Sequence, residues 1–116
     1  TIRGGHWKGG QAAVHLTDNA KATLADCIIE GQTKTALVLV QEAHLTMRNG
    51  VLSNNHGYGL HVRSATAFVS QSKVMGNKKG GLFVESSGLI EYENVTFKGN
   101  QGPDHDKQGR GRIVER

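Results

Sequence analysis

Proline and cysteine are almost missing from this chain of 116 residues, with one of each. A lone Cys27 excludes an intrachain disulfide and any zinc site built from several cysteines. Aromatic residues make up only 5% of the chain, so a core must be aliphatic. No apolar run approaches the roughly 18 residues that a spanning helix needs. No signal peptide is visible, and the chain opens partway through a repeat. The net charge of +4 comes from Lys and Arg scattered along the chain, apart from a small cluster near the C-terminus. Scattered charge describes a solvated surface, which argues against nucleic acid as the partner class. What the chain does have is glycine, 16 residues of it, which suits short strands and tight turns.

Its length fits one domain with a modest core. The segment NHGYGLHV (55–62) returns as NKKGGLFV (77–84). Apolar pairs at i and i+2 begin near residues 14, 38, 60 and 82: Val14/Leu16, Val38/Val40, Leu60/Val62 and Leu82/Val84. A second set follows at Ala22/Leu24, Leu45/Met47, Ala67/Val69 and Ile90/Tyr92, and a third apolar column at Ile29, Leu52, Val74 and Phe97. Two polar columns accompany them: Asp26, Asn49, Gln71, Asn94 and Gln32, Asn55, Asn77, Asn100. Spacing by two is the period of a strand with one buried face. Three short strands per unit of about 22 residues, stacked unit on unit, predict a parallel β-helix whose polar columns form inward ladders. The fold class expected is all-β: a right-handed single-stranded parallel β-helix of about four to five coils with three short strands per coil. Residues 1–100 form the coils, and 101–116 a polar C-terminal tail or cap.

The Gly-Leu-x-Val units at 59–62 and 81–84, with Asn49, Asn55, Asn77, Asn94 and Asn100, resemble the parallel β-helix repeats of pectate-lyase-like proteins. They are similar also to the repeats of carbohydrate-binding and sugar-hydrolase domains and of some F-box substrate adaptors. The resemblance covers roughly residues 2 to 100. It implies that function sits on the outward residues of the first sheet and in neighbouring loops.

Alternation makes His15, Leu39, His61 and Phe83 outward, with Thr17, Gln41, Arg63 and Glu85 beside them. A binding strip of His15, His61, Arg63, Phe83 and Glu85 follows, in which Phe supplies a flat face and Arg supplies donors. Arg63 and Glu85 fall on neighbouring coils and can pair. His15 and His61 are two coils apart, too far to share a metal, so no metal and no cofactor is expected. No strip places two acids beside a base, so no catalytic set is assembled. Asp104, His105 and Asp106 form the best local cluster. It is similar to the Asp-Pro-His-Asp motif of alginate epimerases, though the order here is Pro-Asp-His-Asp and it reads as an exposed loop. Asn94-Val95-Thr96 matches a glycosylation sequon, but the ladder register points Asn94 inward and unmodified. Cys27 reads as a small core filler.

The function expected is a noncatalytic scaffold or recognition segment of a larger protein, with a protein or polysaccharide partner. The alternative is a fragment of a polysaccharide lyase, epimerase or hydrolase. Exposed coil ends make an end-to-end oligomer or neighbouring capping domains plausible.

Overall fold

The computed structural model describes residues 2–10 and 14–116. Strand follows strand with no helix: β1 (Ile2–Arg3), β2 (His6–Lys8), β3 (Val14–Leu16), β4 (Lys21–Ala25), β5 (Ile28–Glu30), β6 (Leu37–Val40), β7 (His44–Arg48) and β8 (Val51–Ser53). Then come β9 (Tyr58–Arg63), β10 (Thr66–Met75), β11 (Gly80–Glu85), β12 (Leu89–Lys98), β13 (His105–Lys107) and β14 (Arg112–Glu115). Every pairing is parallel, and each strand pairs with its equivalent one coil away. The result is a β-solenoid of about five turns. One sheet runs β13-β11-β9-β6-β3, and a second, nine-stranded sheet carries the other two strands of each coil. No helix of the described residues is long and apolar enough to cross a membrane.

The apolar columns are continuous inside. Ile2, Leu24, Met47, Val69 and Tyr92 stand in register, as do Trp7, Ile29, Leu52, Val74 and Phe97. Leu24, Ile29, Met47, Leu52, Leu60, Val69, Val74 and Leu82 have no exposed surface, so the interior is a dry aliphatic column. Such burial stabilises by about 25 cal/mol per Å² of apolar surface removed from water.

Two expectations change. In the second coil the inward pair is Leu37/Leu39, and Val38 is the outward residue in register with His15 and His61. Leu39, expected outside, is fully buried. Residues 36–40 are an unbroken apolar run, Ala-Leu-Val-Leu-Val, in which alternation leaves no mark. The column Asp26, Asn49, Gln71, Asn94 lies outside instead of forming an inner ladder. All four have positive φ, from 49 to 56°. They form the bend between the second and third strands, and Asn and Asp tolerate that left-handed conformation better than most residues. There Asn49 Nδ2 donates to Asp26 Oδ1 at 2.7 Å. Asn94 is accordingly exposed, with its sequon on the outer surface.

The other polar column is the internal ladder. Asn55 and Asn77 are fully buried and Gln32 nearly so. Asn77 Oδ1 accepts from both the backbone N–H and Nδ2 of Asn55, at 3.1 and 2.8 Å. Asn100 Oδ1 accepts from the same two groups of Asn77, at 2.9 and 3.1 Å. Asn77 Nδ2 also donates to Leu52 O at 3.1 Å, and Asn55 Oδ1 accepts the Gln32 N–H at 3.0 Å. The segment after Asn100 adds β13 onto β11 and β14 onto β12, with Ile113 stacked on Ile90.

Replacing Asn77 by Ala strands the buried Asn55 N–H and the Leu52 carbonyl. Each buried group left unpaired costs about 1–3 kcal/mol. Asn49→Gly, which keeps the left-handed bend unstrained and removes only the exposed hydrogen bond to Asp26, is expected to cost under about 1 kcal/mol by chemical denaturation. Equal losses at the two positions would refute the inside and outside assignment.

Candidate functional site

The outward column of the five-stranded sheet reads His15, Val38, His61, Phe83, Asp106 from one end to the other. Its central part is shaped by Gly59. A β-carbon on Gly59 would sit 2.8 Å from Val74 Cγ1 and 3.3 Å from Asn77 Nδ2. The position therefore faces the packed interior and admits no side chain. Leu60 faces inward as well. Two successive inward residues bend the strand, and Tyr58 emerges outside next to His61.

Tyr58 lies beside Gly80 of the next coil, where no side chain competes for the space. Its ring stacks on Phe83 at 4.8 Å between centroids, and His61 meets Phe83 at 4.7 Å. Together they leave Phe83 only 9% exposed. The accessible aromatic surface of the strip is thus that of Tyr58 and His61.

Two carboxylates bracket this cluster. The Tyr58 hydroxyl donates to Asp106 Oδ2 at 3.0 Å, and His61 Nε2 lies 2.6 Å from Glu85 Oε2. Glu85 thus takes His61 as its partner, although Arg63 is its backbone neighbour across the ladder. The expected Arg63–Glu85 pair does not form among the described ion pairs. Arg63 is exposed. His15 is exposed too, and the Val38 rung separates it from His61.

The Asp104-His105-Asp106 cluster is split by strand alternation. Asp106 points outward to Tyr58. His105 points toward the core and packs against Tyr92 and Phe97, at 5.2 and 5.0 Å. Asp104 accepts from Asn100 Nδ2 at 3.0 Å. As a result one face holds Glu85 and Asp106 together with His61, a grouping of two acids and a base that the sequence did not reveal. Tyr58 and Asp106 were missed for different reasons. Tyr58 is hidden by the Gly59 bend, and an aromatic opposite a glycine on the next coil was its only signal. Asp106 was assigned to a loop because β13 carries none of the apolar spacing of the other first strands.

Among the described residues no three His, Cys, Asp or Glu side chains converge as a metal site. Cys27 is buried, its Sγ donating to Ala25 O at 3.3 Å.

Burial raises the Tyr58 pKa above its ordinary 10.0, and the hydrogen bond to Asp106 and the charge of Asp106 raise it further. Tyr92 is raised mainly by burial, with the charge of Glu115 adding to it. Folding thus favours the neutral phenol. The associated stability is fully present below pH 10 and is lost as pH rises through the folded-state values. In a phenolate absorbance titration, Asp106→Asn is expected to lower the Tyr58 midpoint and leave that of Tyr92 in place. An unchanged Tyr58 midpoint would break the proposed pairing.

No curated protein and no solved structure matches the chain. A family model described as the right-handed β-helix region matches residues 1–103. With the parallel stack of coils already established, the chain belongs to the right-handed β-helix family.

Proposed function

We propose that this chain is a recognition segment, binding a protein partner through the outward face of its five-stranded sheet. The observation that carries this reading is the Tyr58–Phe83–His61 stack flanked by Glu85, Asp106 and Arg63. Tyr and Arg are the residues that most often anchor protein interfaces. The side chains of Tyr58 and His61 are tied down by Asp106 and Glu85, so little rotamer freedom is lost when a partner arrives. Charges of both signs on one face favour a complementary protein surface over a uniformly charged polymer. A sugar face is the other possible occupant. The covering of Phe83 removes the flat ring that would stack best on it.

A photo-crosslinking residue placed at position 63, in the protein's native cells, is expected to capture one defined protein. Tyr58→Ala should abolish the adduct, and a crosslinker placed at position 23 on the second sheet should not produce it. Glycan-array binding lost on Tyr58→Ala, with no protein adduct at position 63, would overturn this in favour of a sugar ligand.

A second reading has one observation in its favour: two carboxylates, a histidine and a tyrosine share the face. Glycoside cleavage uses two carboxyl groups about 5–10 Å apart, and a carboxylate-oriented histidine is a competent general base. Under that reading the chain turns over a polysaccharide. Glu85→Gln and Asp106→Asn would then each lower the rate by about a hundredfold or more. No turnover across neutral, uronate and sulfated polysaccharides would eliminate it.

A further inference from the structure

Between Glu42 and Glu85 the chain has no acidic residue, yet it carries Arg48, Arg63, Lys73, Lys78 and Lys79. The solenoid gathers lysines onto one edge, the turn that joins the third strand of each coil to the first strand of the next. The His56 N–H donates to Gln32 O, Lys78 N–H to Asn55 O and Gln101 N–H to Asn77 O, at 2.9, 2.9 and 3.0 Å. Those bonds stack Thr33, His56, Lys78 and Gln101 coil over coil. In the adjoining row the Gly57 N–H donates to Lys34 O, and Gly57 O accepts the Lys79 N–H, both at 3.1 Å. Gly57 therefore lies between Lys34 and Lys79, which stand two coils, or roughly 10 Å, apart along the axis. A β-carbon at Gly57 would lie 2.5 Å from the Thr35 nitrogen, so the rung between the two lysines is packed closed against Thr35 and projects no side chain between them.

Lys98 extends the band, its carbonyl accepting the Gly76 N–H at 3.0 Å. Lys73 stands two residues before Met75, the residue in register with Lys98. All five lysines are exposed, and none is in an ion pair among the described residues. Two acids stand at the border, each held by a neighbour other than a lysine: Asp104 accepts from Asn100 Nδ2 at 3.0 Å, and Glu30 lies 3.2 Å from His6 Nε2.

We propose that this band binds a sulfated polysaccharide. Sulfate esters would bridge Lys34 and Lys79 over the side-chain-free Gly57 rung and continue along Lys78, Lys98 and Lys73. The composition favours this ligand class. Lysine is a compact, hydrated point charge without the planar fork of arginine, so it suits a flexible row of oxyanions more than bidentate carboxylate recognition. A nucleic acid would need rings on which to stack its bases. Beside the lysines, Phe97 packs against the core and Tyr58 is held by Phe83 and Asp106, which leaves the imidazole of His56 as the exposed ring of the band among the described residues.

Immobilised heparin is the probe, run beside single-stranded DNA and uncharged dextran. The intact chain is expected to bind heparin in a salt-dependent manner, and Lys78→Glu/Lys79→Glu to weaken it by about tenfold or more, as loss of several ionic contacts does. Tyr58→Ala, which removes the ring that stacks on Phe83 and leaves every lysine in place, should leave heparin affinity unchanged, which separates this site from the proposed protein interface. Circular dichroism checks that the charge-reversed variant folds, and Lys34→Ala/Lys79→Ala gives the same test with gentler changes. Heparin affinity unaffected by either double variant would overturn the proposal. So would DNA binding as tight as heparin binding.

Discussion

The buried amide ladder at Gln32, Asn55, Asn77 and Asn100 is the constraint on which the rest of the structure depends. Each Asn oxygen accepts a backbone N–H from the neighbouring coil, in a buried interior where leaving that N–H unpaired would be costly. Every coil must therefore return an amide to the same point. That requirement fixes the period at 22 or 23 residues and locks the register of both sheets, since a slip of one residue would send each inward aliphatic outside. It also explains Gly59. The space that its missing side chain leaves is filled by Val74 and by the amide of Asn77.

Parallel stacking carries a consequence for function. Within a strand, neighbouring residues mostly alternate between core and solvent, so a contiguous motif supplies only part of a site on one sheet face. Sites must be assembled across coils: Tyr58, Phe83 and Asp106 come from three successive coils, yet they form one cluster. NHGYGLHV is in this sense one rung contributing to several structures at once. Asn55 holds the ladder, Leu60 and Val62 fill the core, and Tyr58 and His61 belong to the outer face.

Period-two spacing made the fold legible, because a strand buried on one face writes its orientation into the sequence. Ala22/Leu24 through Ile90/Tyr92 fell into register as read. The reading failed where both parities are apolar, at residues 36–40, and where two polar columns look alike in composition. Asn49 and Asn55 are set apart by backbone conformation: Asn49 takes a positive φ at a bend and stays outside, and Asn55 does not and is buried. Nothing in side-chain chemistry distinguishes an asparagine chosen for its tolerance of the left-handed region from one chosen for its amide. Of the outer face, His61, Phe83 and Glu85 were legible from alternation. Their pairing was not, because Glu85 had two basic neighbours, Arg63 and His61, and the choice between them depends on side-chain reach.

The two exposed surfaces differ in chemistry because the fold sorts charge by position in the coil. Outward residues of the first strand bring Glu85 and Asp106 next to rings and a histidine. The preceding turn collects Lys34, Lys78 and Lys79 around a glycine rung. Both arrangements stand on a backbone that the ladder already holds rigid; Tyr58 and His61 are tied down by their partners as well, whereas the exposed lysines keep their rotamer freedom until a ligand orders them. Substitutions at outward sites should accordingly alter recognition with little effect on stability, and substitutions in the ladder should do the reverse. The separation follows from topology. In a parallel solenoid the inward residues are spent on cohesion, and the outward ones are left to vary with the partner.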